Sequence, residues 1–129
     1  MSAWTGFFSK SGSPCLKLTL RGVFGNKQEF EAVIDTGFSG FVSIPLLKAF
    51  PLGLVLVGIT SVVLADGSTT YRLMALCEAS VGGEEGIDVA ILEPKSQEVL
   101  VGMQFLTRLK KRLTVCPGLN VVEVADDIG

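Results

Sequence analysis

The stretch Val33-Ile34-Asp35-Thr36-Gly37 holds the residues of this chain whose types and spacing are best suited to chemistry. An apolar run ends in an aspartate, which predicts a carboxylate held at the end of a strand. The Thr36 hydroxyl can brace that carboxylate, and Gly37 leaves the backbone free to turn and offer its N–H to it. Hydrolysis by paired carboxylates needs an aspartate held in this way. The alternative interpretation is a simple turn, because all three residue types favour turns.

Composition excludes several other kinds of chemistry. The chain has 129 residues and no histidine, which removes Ser-His-Asp and Cys-His nucleophiles and most zinc sites. The three cysteines, Cys15, Cys77 and Cys116, are widely separated along the chain. They do not make a metal site, and we expect them to be reduced and mostly buried. We therefore expect no metal and no cofactor, and any hydrolysis must come from carboxylates.

Size and charge bound the fold and the partners. A chain of 129 residues predicts one domain, and 48% hydrophobic against 19% charged residues favours a full core plus a buried partner interface. The net charge of −2 and a single basic run at 110–112 argue against nucleic acid. Apolar runs such as 52–59 are too short to cross a bilayer, and residues 1–10 lack a secretory pattern. The sequence thus predicts a cytoplasmic protein that binds neither membrane nor nucleic acid.

Strand and turn signals predict a mainly β chain with one or two short helices. Residues 1–13 are rich in Ser and Gly and are expected to be loose, with Trp4, Phe7 and Phe8 available to dock on a partner. Turns are expected at 66–67 and 82–85, and short helices at about 45–50 and 103–109. The predicted strands are 15–20, 29–34, 41–44, 61–65, 68–76, 87–92, 99–101, 113–116 and 120–124.

Three motifs in this order resemble retroviral-type (retropepsin-like) aspartic proteases, in particular the small stand-alone prokaryotic members. The resemblance covers about residues 15–115. It implies a mainly β fold, one half of an acid-protease β-barrel with one or two short helices, completed as a homodimer. It also implies a flexible N-terminal segment at 1–13, a protease domain at 14–116 and a C-terminal extension at 117–129. The motifs are Val33-Ile34-Asp35-Thr36-Gly37, Val62-Val63-Leu64-Ala65-Asp66-Gly67-Ser68 and Val99-Leu100-Val101-Gly102-Met103-Gln104-Phe105-Leu106.

The chain contains one Asp-Thr-Gly, whereas the family's chemistry needs two carboxylates around a water molecule. The remaining aspartates are predicted in a turn, in a strand or in the tail. A second copy must therefore supply the second carboxylate, and a two-fold dimer places Asp35 against Asp35. The family's terminal strands interleave across the dimer, which suggests that role for 15–20 or the residues before them and for 113–116.

By this resemblance the chain is a homodimeric aspartic endopeptidase acting on an extended peptide or protein substrate. The two Asp35 carboxylates share one proton and activate a water. Thr36 makes cross-subunit hydrogen bonds, and the Gly37 N–H approaches the carboxylate. The hairpin turn is a flap that closes over the substrate, and Gly102 permits close packing behind the active-site loop. The implied substrate-binding residues are Phe38, Leu64, Ala65, Asp66, Gly67, Ser68 and Gly102.

Phe38 departs from the family, in which Ala or Ser often follows Asp-Thr-Gly. A Phe side chain cannot donate a hydrogen bond to the carboxylate. We therefore expect an activity optimum at mildly acidic to neutral pH, and a cleft narrowed for a restricted substrate.

Each of these residues also has a possible structural role that involves no catalysis or binding. Thr36 can simply cap a turn, Asp66 can be a turn residue, and Gly102 can mark the break before a helix. For the whole chain, the alternatives are a non-catalytic dimeric peptide-binding or dimerisation module of the same fold, and a monomeric β-barrel in which Asp-Thr-Gly is incidental.

Overall fold

β-strands make up most of the chain, and the computed structural model describes residues 3–127. The two helices are short: α1 (Leu46–Ala49), continued by a 3-10 turn at Phe50–Leu52, and α2 (Met103–Arg108). No helix within the described residues is long and apolar enough to span a membrane. The strands are β1 (Ala3–Thr5), β2 (Phe7–Phe8), β3 (Pro14–Arg21), β4 (Lys27–Ile34), β5 (Val42–Pro45), β6 (Val55–Val63), β7 (Thr69–Val81), β8 (Glu84–Glu93), β9 (Val99–Val101), β10 (Lys111–Cys116) and β11 (Val121–Asp126).

Within residues 3–127 the strands form two sheets. The larger has the order β2-β3-β4-β9-β5-β8-β7-β6, and an additional pairing of β3 with β7 curls it into a barrel-like shape. Most neighbours are antiparallel, but β9 lies parallel to β4, and β8 lies parallel to β5. The smaller sheet has the order β1-β11-β10. The predicted mainly β architecture with short helices is therefore confirmed.

Helix α2 is anchored by its apolar side. Phe105 is fully buried, and its ring lies 6.1 Å from the Trp4 ring and 5.7 Å from the Phe41 ring, measured between centroids. Tilted aromatic pairs at such separations are favourable contacts. The start of α2, which directly follows β9, is thereby fixed relative to the larger sheet.

The N-terminal segment differs from the expectation that residues 1–13 are loose. β1 pairs with β11, and β2 pairs with β3. The reason is Trp4, whose side chain is buried in the chain's own core instead of being displayed to a partner. The domain boundaries at 13 and 116 stay predictions.

Two element boundaries moved for a backbone reason. The predicted turn at 82–85 is confined to Gly82 and Gly83, whose φ angles are 57° and 86°, so β8 begins at Glu84. Asn120 has a φ of 54°, a left-handed conformation that Asn tolerates, and the last strand begins one residue later.

Candidate active site

Asp35 directly follows β4 at the centre of the larger sheet. Ile34, the last residue of β4, is paired with Val101, the last residue of β9. The Asp35 backbone N–H donates to the Val101 carbonyl oxygen at 2.9 Å. Two parallel strand ends therefore hold the Asp35 backbone, which is the strand-end placement that the sequence predicted.

The turn after Asp35 orients its carboxylate. The Gly37 N–H donates to Asp35 Oδ1 at 2.9 Å, as expected from the glycine at this position. The Phe38 N–H donates to the Asp35 carbonyl oxygen at 3.1 Å and closes the turn. The Asp35 side chain is half-buried, so one part of the carboxylate is held by the backbone while another part stays accessible.

Thr36 occupies the exposed side of the same turn. Its hydroxyl forms no hydrogen bond with any residue that the structure describes. It lies between two surface cavities, one shared with Asp35 and the other lined by Met103 and Thr107. Within the described chain, Thr36 does not brace Asp35, and its side chain is exposed to solvent.

The loop at 36–41 is clamped to the start of α2. The Met103 N–H donates to the Phe38 carbonyl oxygen at 2.8 Å, and the Gln104 N–H donates to the Gly40 carbonyl oxygen at 3.1 Å. The first N–H groups of a helix have no partner within the helix. Here they hold the loop that carries Asp35.

Gly102 is buried behind this loop. A Cβ atom at residue 102 would lie 2.4 Å from the Gly40 carbonyl oxygen and 2.5 Å from that of Phe38, distances that van der Waals contact does not allow. The Phe38 ring lies against Gly40 and Gly102 and is not among the groups lining the cavity beside Asp35. Gly102 thus lies in close backbone contact behind the loop that carries Asp35. The roles of Phe38 and Gly102 toward a substrate stay predictions.

Asp35 and Thr36 line an open cavity of about 500 Å³. Its wall combines apolar side chains with polar groups, and Glu98 is the acidic side chain that it contains besides Asp35. Ligand sites commonly combine an apolar wall with a small number of polar groups that fix the ligand. The other wall residues are Ser13, Pro14, Val33, Ile34, Leu100, Leu113 and Val115.

The wall of this cavity is the part of the site that sequence reasoning missed. Pro14, Leu113 and Val115 come from segments remote from Asp35 in the chain, so no local pattern reveals them. Leu100 and Glu98 carried a usable signal. They alternate with buried Val99 and Val101, so they must share the opposite face of the strand.

The predicted flap residues form the turn between β6 and β7. The Leu64 N–H donates to the Ser68 carbonyl oxygen at 2.8 Å, and the Ser68 hydroxyl and N–H donate to Asp66 Oδ1 at 2.6 and 2.8 Å. These hydrogen bonds, the hydroxyl one foremost, lower the pKa of Asp66. All five residues, Leu64, Ala65, Asp66, Gly67 and Ser68, are exposed, and none lines the cavity beside Asp35.

The cysteines are free thiols, and their positions do not suit nucleophilic chemistry. Cys15 and Cys77 are buried, and burial raises the pKa of Cys77 to about 12 and also raises that of Cys15. A thiol with a raised pKa is rarely in the reactive thiolate form. Among residues 3–127, no group of three or more Cys, Asp or Glu side chains is placed to hold a metal ion.

Comparison with known proteins places this geometry in a fold. The chain is similar to the crystal structure of a retropepsin-like aspartic protease from Rickettsia conorii, with a TM-score of 0.65. The similarity covers 96% of this chain and 93% of that one, at 15% sequence identity. No protein-family model and no curated protein matches the sequence. The comparison confirms that the chain has the retropepsin-like fold.

Proposed function

We propose that this chain is a homodimeric aspartic endopeptidase that hydrolyses peptide bonds in extended segments of peptides or proteins. The observation that carries the proposal is the Asp35 carboxylate, held by the Gly37 N–H at the edge of an open cavity. The retropepsin-like fold of the chain supports it, and in this chain the Asp-Thr-Gly turn directly follows β4, an interior strand of the larger sheet.

The proposed chemistry uses two Asp35 carboxylates, one from each copy. Two carboxylates held close together share one proton, because both cannot ionise cheaply. The ionised one removes a proton from a water molecule as that water attacks the scissile carbonyl carbon, and the protonated one transfers its proton to the carbonyl oxygen, which gives a tetrahedral diol. On collapse, the carboxyl group that took the water proton gives it to the leaving nitrogen, and the other carboxylate takes a proton back from a diol hydroxyl.

Three features favour a second copy at this face. Thr36 is exposed beside Asp35, with a hydroxyl that bonds no described residue. β10 lies at one edge of the smaller sheet, and such an edge offers unpaired backbone groups to another strand. Leu113 and Val115 of that strand face the same cavity as Asp35. We propose that Thr36 and β10 lie at the dimer interface, with Thr36 bonded across it.

The β6–β7 hairpin is the proposed flap. Its arms display apolar side chains to solvent, since Val63 is 75% exposed and Tyr71 is 70% exposed. An extended peptide can add to such a surface through strand-like backbone hydrogen bonds and side-chain contacts. The turn from Leu64 to Ser68 would close over a peptide lying between it and Asp35, and would exclude water from the reaction.

The decisive experiment is cleavage of a diverse peptide pool from pH 4 to 8 by the wild type and by Asp35→Asn. The Asn side chain keeps the shape of Asp but cannot act as the base. We expect cleavage by the wild type, best at mildly acidic to neutral pH, and a fall of about a thousandfold or more in the variant. Glu85→Gln, which replaces a carboxylate by an amide at an exposed position of β8, is the control and should cleave like the wild type.

Cleavage that survives Asp35→Asn would contradict the proposal. An absence of cleavage by the wild type, with a dimer confirmed by sedimentation, would instead favour the non-catalytic peptide-binding module of the same fold.

A further inference from the structure

We propose that Glu98 makes the cavity beside Asp35 select a cationic side chain, lysine or arginine, at a substrate position flanking the scissile bond. This inference rests on the proposed function and names its substrate class.

Strand register places Glu98 on the same side of the sheet as Asp35. Val33 of β4 is paired with Leu100 of β9 in the parallel arrangement. Successive residues of a strand point to opposite faces, so Asp35 shares the face of Val33, and Glu98 shares the face of Leu100. All four residues line the same cavity.

Two hydrogen bonds with Ser96 hold the backbone of Glu98. The Glu98 N–H donates to Ser96 Oγ at 3.2 Å, and the Ser96 hydroxyl donates to the Glu98 carbonyl oxygen at 3.1 Å. Serine hydroxyls brace short turns in this way. Glu98 therefore lies at the end of a hydrogen-bonded turn and directly precedes β9.

The Glu98 carboxylate makes no hydrogen bond or ion pair with any of residues 3–127, and no lysine or arginine from that range lines the cavity. Lys48 is nearby, since its Nζ donates to the carbonyl oxygen of the preceding residue, Gln97, at 2.9 Å. Some other carboxylates of the sheets have cationic partners: Arg21 pairs with Glu78, Arg72 with Glu93, and Arg108 with Asp88. A cavity with two acidic side chains and no basic one has a negative potential that attracts a cation.

The shape and polarity of the cavity suit a long cationic side chain. Lysine and arginine have apolar stems that pack along apolar surface while the charged end stays in a polar environment. Val33 and Leu100 provide the apolar wall, and exposed Glu98 provides the polar end. The cavity has a volume of about 500 Å³, and the cationic side chain would occupy the part between Glu98, Val33 and Leu100, since Leu113 and Val115 are proposed to face the second copy.

The test uses peptides that share one sequence from the pool, chosen for cleavage or, where none is cleaved, for binding to the protein, and that differ at a single flanking residue, which is lysine, norleucine or glutamate. Norleucine keeps the unbranched stem of lysine without its charge. We expect the wild type to prefer lysine over norleucine by about two- to fivefold in kcat/KM, the range of an exposed ion pair. Glu98→Gln should remove that preference, and Glu98→Lys should shift it toward glutamate. Glu85→Gln, an equal change of charge on exposed β8, should retain it.

A second measurement separates failure of the inference from failure of the proposed function. Binding of the lysine and norleucine peptides to Asp35→Asn, with and without Glu98→Gln, does not need turnover. Cleavage without a lysine preference, or with one that persists in Glu98→Gln, overturns the inference and leaves the endopeptidase intact. No cleavage, but tighter binding of the lysine peptide that Glu98→Gln removes, overturns the endopeptidase and supports charge selection. Neither cleavage nor selective binding overturns both.

Discussion

At Gly102 the missing side chain allows two parts of the backbone to touch. The carbonyl oxygens of Phe38 and Gly40 occupy the space that a Cβ atom would need. The same loop carries Asp35, so the position of the carboxylate depends on a contact made behind it. Buried backbone cannot yield as a flexible side chain can, and overpacking at such a place is costly.

Gly102→Ala is therefore expected to reduce both stability and activity. We expect a loss of about 1–3 kcal/mol in the free energy of unfolding, the range of overpacked sites, measured by urea denaturation. Peptide cleavage should fall as well, because the displaced loop moves Asp35. Gly118→Ala is the matched control, since a Cβ atom there meets nothing within 4 Å. Equal stability of the two variants would show that the loop adjusts without strain.

Among the elements, the smaller sheet is fastened to the larger one through Lys111. The Lys111 side chain is fully buried, its Nζ donates to both Glu84 carboxylate oxygens at 2.9 Å, and it also bonds Asp126. Nζ also lies 4.6 Å from the centre of the Trp4 ring, a favourable cation–π distance. One ammonium thus links β10, β11, β1 and the start of β8.

Removing this ammonium leaves two carboxylates without their common partner. We expect Lys111→Met to lower the free energy of unfolding by about 2–3 kcal/mol at pH 7, less than for a fully buried pair because the carboxylates are partly exposed. Urea denaturation measures the change, and Arg112→Met on the exposed side of the same strand is the control. An unchanged midpoint in Lys111→Met would show that the apolar packing alone holds the sheet.

The pH dependence of this link follows from the pKa of Lys111. Burial acts to lower that pKa, but the hydrogen bonds that Nζ donates to Asp126 and Glu84 outweigh burial and raise the pKa above its ordinary value. The stabilisation is therefore fully present below the pKa of an unfolded lysine, about 10.4, and is lost as the pH rises through the higher folded value. The difference in stability between wild type and Lys111→Met should thus be constant near neutrality and shrink only in strong alkali.

Elements that depend on short-range signals were predictable from the sequence, and those that depend on distant partners were not. β4, the Asp35 turn, the turn at 66–67 and α2 follow from alternation, turn residues and apolar spacing within a few residues. The first arm of the hairpin was predicted at 61–65, whereas β6 spans Val55–Val63. β1 was missed because its partner, β11, lies at the other end of the chain. The cavity wall was missed for the same reason, since Pro14 and Val115 meet Asp35 only after folding.

For the whole molecule, one chain supplies a single Asp35 carboxylate, whereas the proposed chemistry needs two. The structure of a single chain contains one Asp-Thr-Gly turn, open at the cavity side, with β10 at the sheet edge beside it. Closed two-fold association is the commonest way for such a surface to be completed. Activity should then depend on pairs of chains.

Mixing wild type with Asp35→Asn tests this dependence directly. With free exchange at equal amounts, about a quarter of the dimers carry two Asp35 residues, so activity at constant total protein should fall to about a quarter of the wild-type value. Independent single-chain sites would leave half of it. Mixing with the active variant Glu85→Gln controls for the effect of mixing itself and should leave activity unchanged.

Trp4 is the one tryptophan of the sequence, and it lies beneath the Lys111 ammonium with its indole N–H buried and without a hydrogen bond to any residue of 3–127. The tryptophan fluorescence of the protein therefore comes from one buried side chain that lies beside an ammonium group. Undocking of the smaller sheet would wet that indole and move its emission to longer wavelength. Trp4 thus reports on the smaller sheet, and separation of that sheet from the larger one can be followed by fluorescence in unlabelled protein.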